Sequence, residues 1–200
     1  MLSLSEVPDT PIEAMKTLLR ILLPVLVATS ILGSTVKAGT AAGSVDANQF
    51  VPENIEGGRI TVELKGALLN IATRIAAHQE PEAAALLGSL REIRVNVIDL
   101  NKNKAEEVTQ HFQAGRKHLE GSGWARVVSV LENGDDVAIH AKTRGEDSVE
   151  GLCISILGAD KQAVFVNLVG DLRPEQLAKL GGKLDLPGIQ KAADALEKKK

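Results

Sequence analysis

Hydrophobic positions along this 200-residue chain change their period several times, and each change marks an element. The first apolar block, Ile21 to Leu32, is bracketed by Lys16 and Arg20 on one side and by Val36-Lys37-Ala38 on the other. A basic start, a short apolar run and small residues near a cleavage point form the pattern of a secretory signal, expected here over Met15 to Ala38. A membrane span needs about 20 mostly apolar residues; this run is shorter and contains Pro24 and Thr29-Ser30. The acidic Glu6, Asp9 and Glu13 ahead of the basic residues point to Met15 as the true start. No cysteine follows the apolar core, which excludes a lipoprotein anchor.

Gly39 to Gly58 is rich in Gly, Ala, Ser and Asn, shows no sustained period and reads as a flexible leader that packs poorly against the rest. Alternation starts at Arg59: Ile60, Val62 and Leu64 against Thr61 and Glu63 predict a half-buried strand. Leu68, Ile71, Ala72, Ile75 and Ala76 then follow a helical period, and Pro81 opens a second, Ala/Leu-rich helix reaching Leu90. Ile93, Val95 and Val97 predict the next strand. Asn103 with Glu106 resembles a capping box for an amphipathic helix whose stripe is Ala105, Val108, Phe112, Gly115 and Leu119.

Four closely spaced strands follow, near Trp124–Leu131, Val137–Lys142, Val149–Leu157 and Ala163–Val169. Asn133-Gly134 between the first two is a strong type I′ hairpin signal, and connections this short allow only antiparallel neighbours. One side of these strands is apolar (Val128, Val137, Ile139, Ile154, Ile156 and Val166 among others) and is expected to take the helices. A further helix is expected from Pro174 and a short amphipathic stretch from Pro187. The expected fold is α+β, a two-layer sandwich whose largely antiparallel sheet carries a C-terminal four-strand meander and helices on one face. The expected division is signal 1–38, leader 39–58 and a single domain 59–197.

Composition narrows the partners. A net charge of −3 with no clustered basic surface argues against nucleic acid; the terminal Lys198-Lys199-Lys200 reads as a solvated tail. Aromatic content is 2%, with no tyrosine, one tryptophan and three phenylalanines, so a stacking surface for sugars or bases is hard to build. The single Cys153 forms no internal disulfide, and its apolar strand makes it a small buried hydrophobe rather than a nucleophile.

Candidate chemistry is thin. His111 and His118 stand seven apart on one helix, whereas helical zinc pairs sit about four apart; His78 is at a helix end and His140 on the polar face of a strand beside Lys142. Glu146, Asp147 and Glu150, like Asp135-Asp136, read as solvated turn residues. Asn167, a polar side chain inside Val164-Phe165-Val166-Asn167-Leu168-Val169, is a weak candidate polar site, expected to satisfy a neighbouring backbone group or face water. No catalytic residues, metal ligands or cofactor motifs are expected.

The segments Val62-Glu63-Leu64-Lys65-Gly66, Ser89 to Val95, Trp124, Glu150-Gly151-Leu152 and Val164 to Gly170 resemble the exported bacterial proteins grouped as domain of unknown function 4252, over about Arg59 to Pro187. The resemblance implies a bacterial envelope location and brings no established activity; the lipoprotein cysteine of some members is missing here. The expectation is a non-enzymatic exported binding or interaction domain, periplasmic or secreted, with an envelope protein as partner and no integral membrane segment after signal cleavage. The alternative is a carrier for an apolar small molecule or lipid, suggested by the Ala/Leu-rich helix at Ala83 to Leu90. A weaker third is an enzyme using Asn167 or the Glu146 cluster. The chain exported from its host is expected to begin at Gly39, which N-terminal sequencing checks; a retained Ile21 to Leu32 contradicts the signal reading.

Overall fold

The computed structural model describes residues 42–173 except 56, 80, 146 and 147. The signal segment, the helix from Pro174, the stretch from Pro187 and the Glu146-Asp147 turn lie outside the described residues. In chain order a short 3-10 turn (Ala47–Gln49) precedes β1 (Arg59–Lys65), α1 (Ala67–Gln79), α2 (Pro81–Ser89), β2 (Leu90–Asp99), α3 (Ala105–Gly121), β3 (Ala125–Glu132), β4 (Asp135–Arg144), β5 (Ser148–Leu157) and β6 (Gln162–Leu172).

The strands form one six-stranded sheet in the order β1-β2-β6-β5-β4-β3, antiparallel at every pairing. The meander β3 to β6 is therefore present, and β6 returns to lie beside β2, joining it to the β1–β2 pair. Asn133 and Gly134 both take positive φ, 53° and 88°, as a type I′ turn requires. Leu90, expected at the end of α2, instead opens β2 opposite Gly170.

The amphipathic α3 carries the chain from β2 in mid-sheet to β3 at the far edge and packs on β3, β4 and β5. It does not rest on the continuous apolar side of the strands. Its Val108, Phe112 and Leu119 share a core cluster with Cys153, Leu157, Ala163, Phe165 and Ile98, the side chains that alternate with that apolar face. The apolar face is itself buried at Val137, Ile139, Ile154 and Ile156. Both sides of the central strands are thus closed to solvent, and a strand closed on both sides reads as a nearly continuous hydrophobic run, as Leu152 to Leu157 does.

Part of the segment 39–58, read from composition as a flexible leader, enters the core. Val45, Phe50 and Val51 are buried, and Phe50 meets Phe112 of α3 edge-on at 5.6 Å and stacks on Phe165 of β6 at 4.8 Å. The three phenylalanines of the chain form one cluster. Gly115 makes this possible. A Cβ there would stand 2.8 Å from the Gln49 carbonyl oxygen and 2.9 Å from the Phe50 ring, so only glycine lets the strap at 43–51 cross α3 closely. Gly115→Val is expected to destabilise the fold by about 1–3 kcal/mol through overpacking, read in urea unfolding; an unchanged midpoint contradicts this packing.

Candidate functional site

Under the strap and α3, register brings a polar row across the sheet. Glu63 pairs with Arg94, Arg94 with Asn167, Asn167 with Cys153, Cys153 with His140 and His140 with Arg126, one residue from each strand. Because paired residues share a face, all six side chains emerge on the α3 side.

Asn167, the candidate polar site, is fully buried and its amide is occupied by backbone. Its Oδ1 accepts from Val45 N at 2.9 Å, and Nδ2 donates to Gly43 O at 3.1 Å and Leu152 O at 3.2 Å. Arg94 completes the grip, donating from Nη1 to Val45 O at 2.8 Å while Nη2 holds Glu92 at 2.7 Å. The side chain reaches across the sequence to the strap rather than to a ligand.

Cys153 is buried, and desolvation pushes its thiol pKa far up, with Arg116 opposing weakly. A thiol so held is not a thiolate nucleophile. Its neighbour His140, expected on a polar strand face, is also fully buried, because that face is the one α3 covers. His140 Nε2 lies 3.3 Å from Glu120 Oε1. A carboxylate only accepts, so Nε2 carries the proton and Nδ1 is a buried nitrogen without a partner. Burial lowers the His140 pKa, with Glu120 opposing. Arg126 donates from Nε to the same Glu120 oxygen at 2.7 Å, and Arg126 and His140 together hold the Glu120 carboxyl below its ordinary range.

Arg116 gives sequence reasoning its clearest omission. Its guanidinium is buried beneath α3 and donates to Ser155 Oγ at 2.8 Å, to both Asp136 carboxylate oxygens at 2.7 and 2.8 Å, and to the carbonyls of Asp136 and Ser155 at 3.1 Å. Its donors are all engaged. The signal was present: Arg116 falls between Phe112 and Leu119 on the apolar stripe. Asp135 and Asp136, read as solvated, are anchors instead, since Asp135 is buried and accepts from Ala159 N at 2.8 Å.

The remaining histidines are dispersed. His111 Nδ1 faces Glu107 O at 3.1 Å and His118 Nε2 faces Ser122 Oγ at 3.4 Å. Asn103 does not cap α3; its Nδ2 donates to Asp99 O at 2.9 Å and Gly57 O at 3.1 Å, and Lys104 takes the N-cap without a side-chain bond. An open pocket of about 490 Å³ lies at this helix start, lined by Asn54, Asn101, Lys102, Asn103, Lys104 and Glu107 beside Ile55 and Val108. Its polar lining suits water or a small polar solute better than a lipid.

Exposed hydrophobic side chains gather at the sheet edges. Ile60 on β1 is 52% exposed, and α1, which packs against β1 and β2, exposes Leu68, Ile71 and Ile75 at helical spacing. On the other edge β3 exposes Val127 and Leu131. The two edges are built differently. β3 carries a bulge between Arg126 and Val128, whereas β1 pairs with β2 in unbroken register over its length.

Together these features define an α+β protein with one antiparallel sheet, its inward polar groups tied to a strap and a crossing helix. The chain belongs to the family described as Domain of unknown function (DUF4252), whose model matches residues 56–180. No curated protein and no solved structure matches it. No helix among the described residues is long and apolar enough to cross a membrane.

The buried His140 generates a pH dependence. Its folded pKa lies below its ordinary 6.5, so the unfolded chain takes up the proton more readily and stability falls as pH drops through that value. Glu120 acts in the same direction lower down, as pH falls through its ordinary 4.5. Urea midpoints measured from pH 8 to pH 5 are expected to decline, and less steeply in His140→Gln; equal slopes contradict the assignment.

Proposed function

We propose that this chain is a non-enzymatic exported domain of the cell envelope that works by binding another protein surface. The observation that carries the reading is the regular β1 edge with half-exposed Ile60, together with the exposed Leu68, Ile71 and Ile75 of α1, a helix that packs on β1. Exposed apolar side chains and edge strands in regular register are features of interaction sites, because both leave groups that another chain can satisfy. The polar side chains offer a complementary argument. Asn167, Arg116 and Arg94 spend their hydrogen bonds on the strap, α3 and the sheet, and Cys153 is buried with a raised pKa. Location in the envelope rests on the signal-like Met15 to Ala38 segment and its short apolar core.

Ile71→Asp with Ile75→Asp tests this. Both side chains are about half exposed, so the unfolding free energy is expected to fall by about 1–2 kcal/mol, and circular dichroism checks that the variant stays folded. Crosslinked pull-down from the native envelope is expected to lose the partner band recovered with the unaltered chain. An unchanged band pattern contradicts a role for this surface.

A further inference from the structure

We infer that the β1 edge is a self-docking edge: a second copy of this chain lays its own β1 antiparallel against it, about a two-fold axis at Thr61. The inference rests on the interaction reading above and deepens it by naming the partner.

The two edges of the sheet differ in how they meet solvent. On β3 the bulge between Arg126 and Val128 interrupts the ladder, a device that discourages further pairing. On β1 the register runs without a shift from Arg59 opposite Ile98 to Lys65 opposite Glu92, and the strand contains no proline. Its outward main-chain groups therefore form the regular array to which an added strand bonds.

Charge selects the occupant. Directly opposed residues in an antiparallel pair share a face, so a two-fold axis between identical strands must pass through a residue. An axis at Val62 sets Arg59 against Lys65, and an axis at Glu63 sets that carboxylate against its own copy. An axis at Leu64 opposes Glu63 and Lys65 but overlaps only residues 63–65 of β1, whereas an axis at Thr61 overlaps 59–63 and sets Arg59 against Glu63 twice, Ile60 against Val62 twice and Thr61 against itself. Opposite charges facing one another stabilise a strand pair and like charges destabilise it, so the strand is self-complementary in the Thr61 register. Arg59, Thr61 and Glu63 are exposed in the single copy, and the half-exposed Ile60 gains an apolar cross-strand neighbour. The contact is the same patch on both copies and closes as a dimer.

Thr61→Cys in the purified exported protein tests the register. Facing residues across such an axis have Cβ atoms about 4.5–5.5 Å apart, close enough for a disulfide after a small adjustment, and the native Cys153 is buried. Mild oxidation is expected to link most chains into dimers on a non-reducing gel. Leu131→Cys, 83% exposed on the opposite edge, is expected to remain unlinked, and circular dichroism checks that both variants fold. Arg59→Glu is expected to weaken association about tenfold in sedimentation, since it sets two carboxylates against each other. Equal linking at both edges overturns the proposal, because it reports random collision. A monomer whose photocrosslinker at Ile60 captures only a different protein also overturns self-pairing and leaves the interaction reading standing. A monomer that yields no adduct at Ile60 overturns both.

Discussion

The structure depends on a grip between two side chains of the sheet and the backbone of a distant strap. Asn167 and Arg94 hold Gly43 and Val45 from both sides, Asn167 through an accepted and a donated bond and Arg94 through the Val45 carbonyl. A buried peptide group left without a partner costs about 1–3 kcal/mol, so these bonds are what allow a polar main chain to lie over the sheet. Once the strap is held there, Phe50 drops between Phe112 and Phe165, and α3 closes over it because residue 115 has no side chain.

The same grip explains why the polar residues of the inner face are poorly disposed for chemistry. A free asparagine, a cysteine and a histidine on neighbouring strands would look like a reactive group in an open cleft. Here the Asn167 amide is bonded to backbone, Cys153 is desolvated, and burial lowers the His140 pKa against the pull of Glu120. Arg116 does the equivalent work on the adjoining row, where its bonds to Ser155 and Asp136 fasten α3 to β4 and β5. Inner polar groups hold the layers together, and the surface proposed for recognition is the outer edge at β1 with the apolar stripe of α1.

What was legible in the chain was what local periodicity controls. The β1 alternation, the stripe on α3, the Asn133-Gly134 turn and the four-strand meander each depend on residues a few positions apart, and each stands where the pattern placed it. The strap was not legible, because its partners lie 49 to 124 residues away and a Gly/Ala/Ser-rich composition also describes a chain that must thread closely over a helix. Phe50-Val51 in that segment and Arg116 within an apolar stripe were the visible exceptions, and both turned out to be packing positions. The face taken by α3 was misread for a related reason: Ser155 and Asn167 look polar in alternation with Ile154 and Val166, yet they are covered, their polar atoms met by Arg116 and the strap. The β1 edge follows from the sheet order, which rests on the long-range pairing of β2 with β6.

Hydrogen exchange measured across a range of protein concentrations tests the proposed recognition surface most directly, since added strands protect main-chain amides that an open edge leaves to water. The outward amides of Arg59 to Lys65 are expected to slow as concentration rises, while those of β3 keep one rate throughout. Exchange along β1 that is independent of concentration, or protection that appears at β3 instead, contradicts the account.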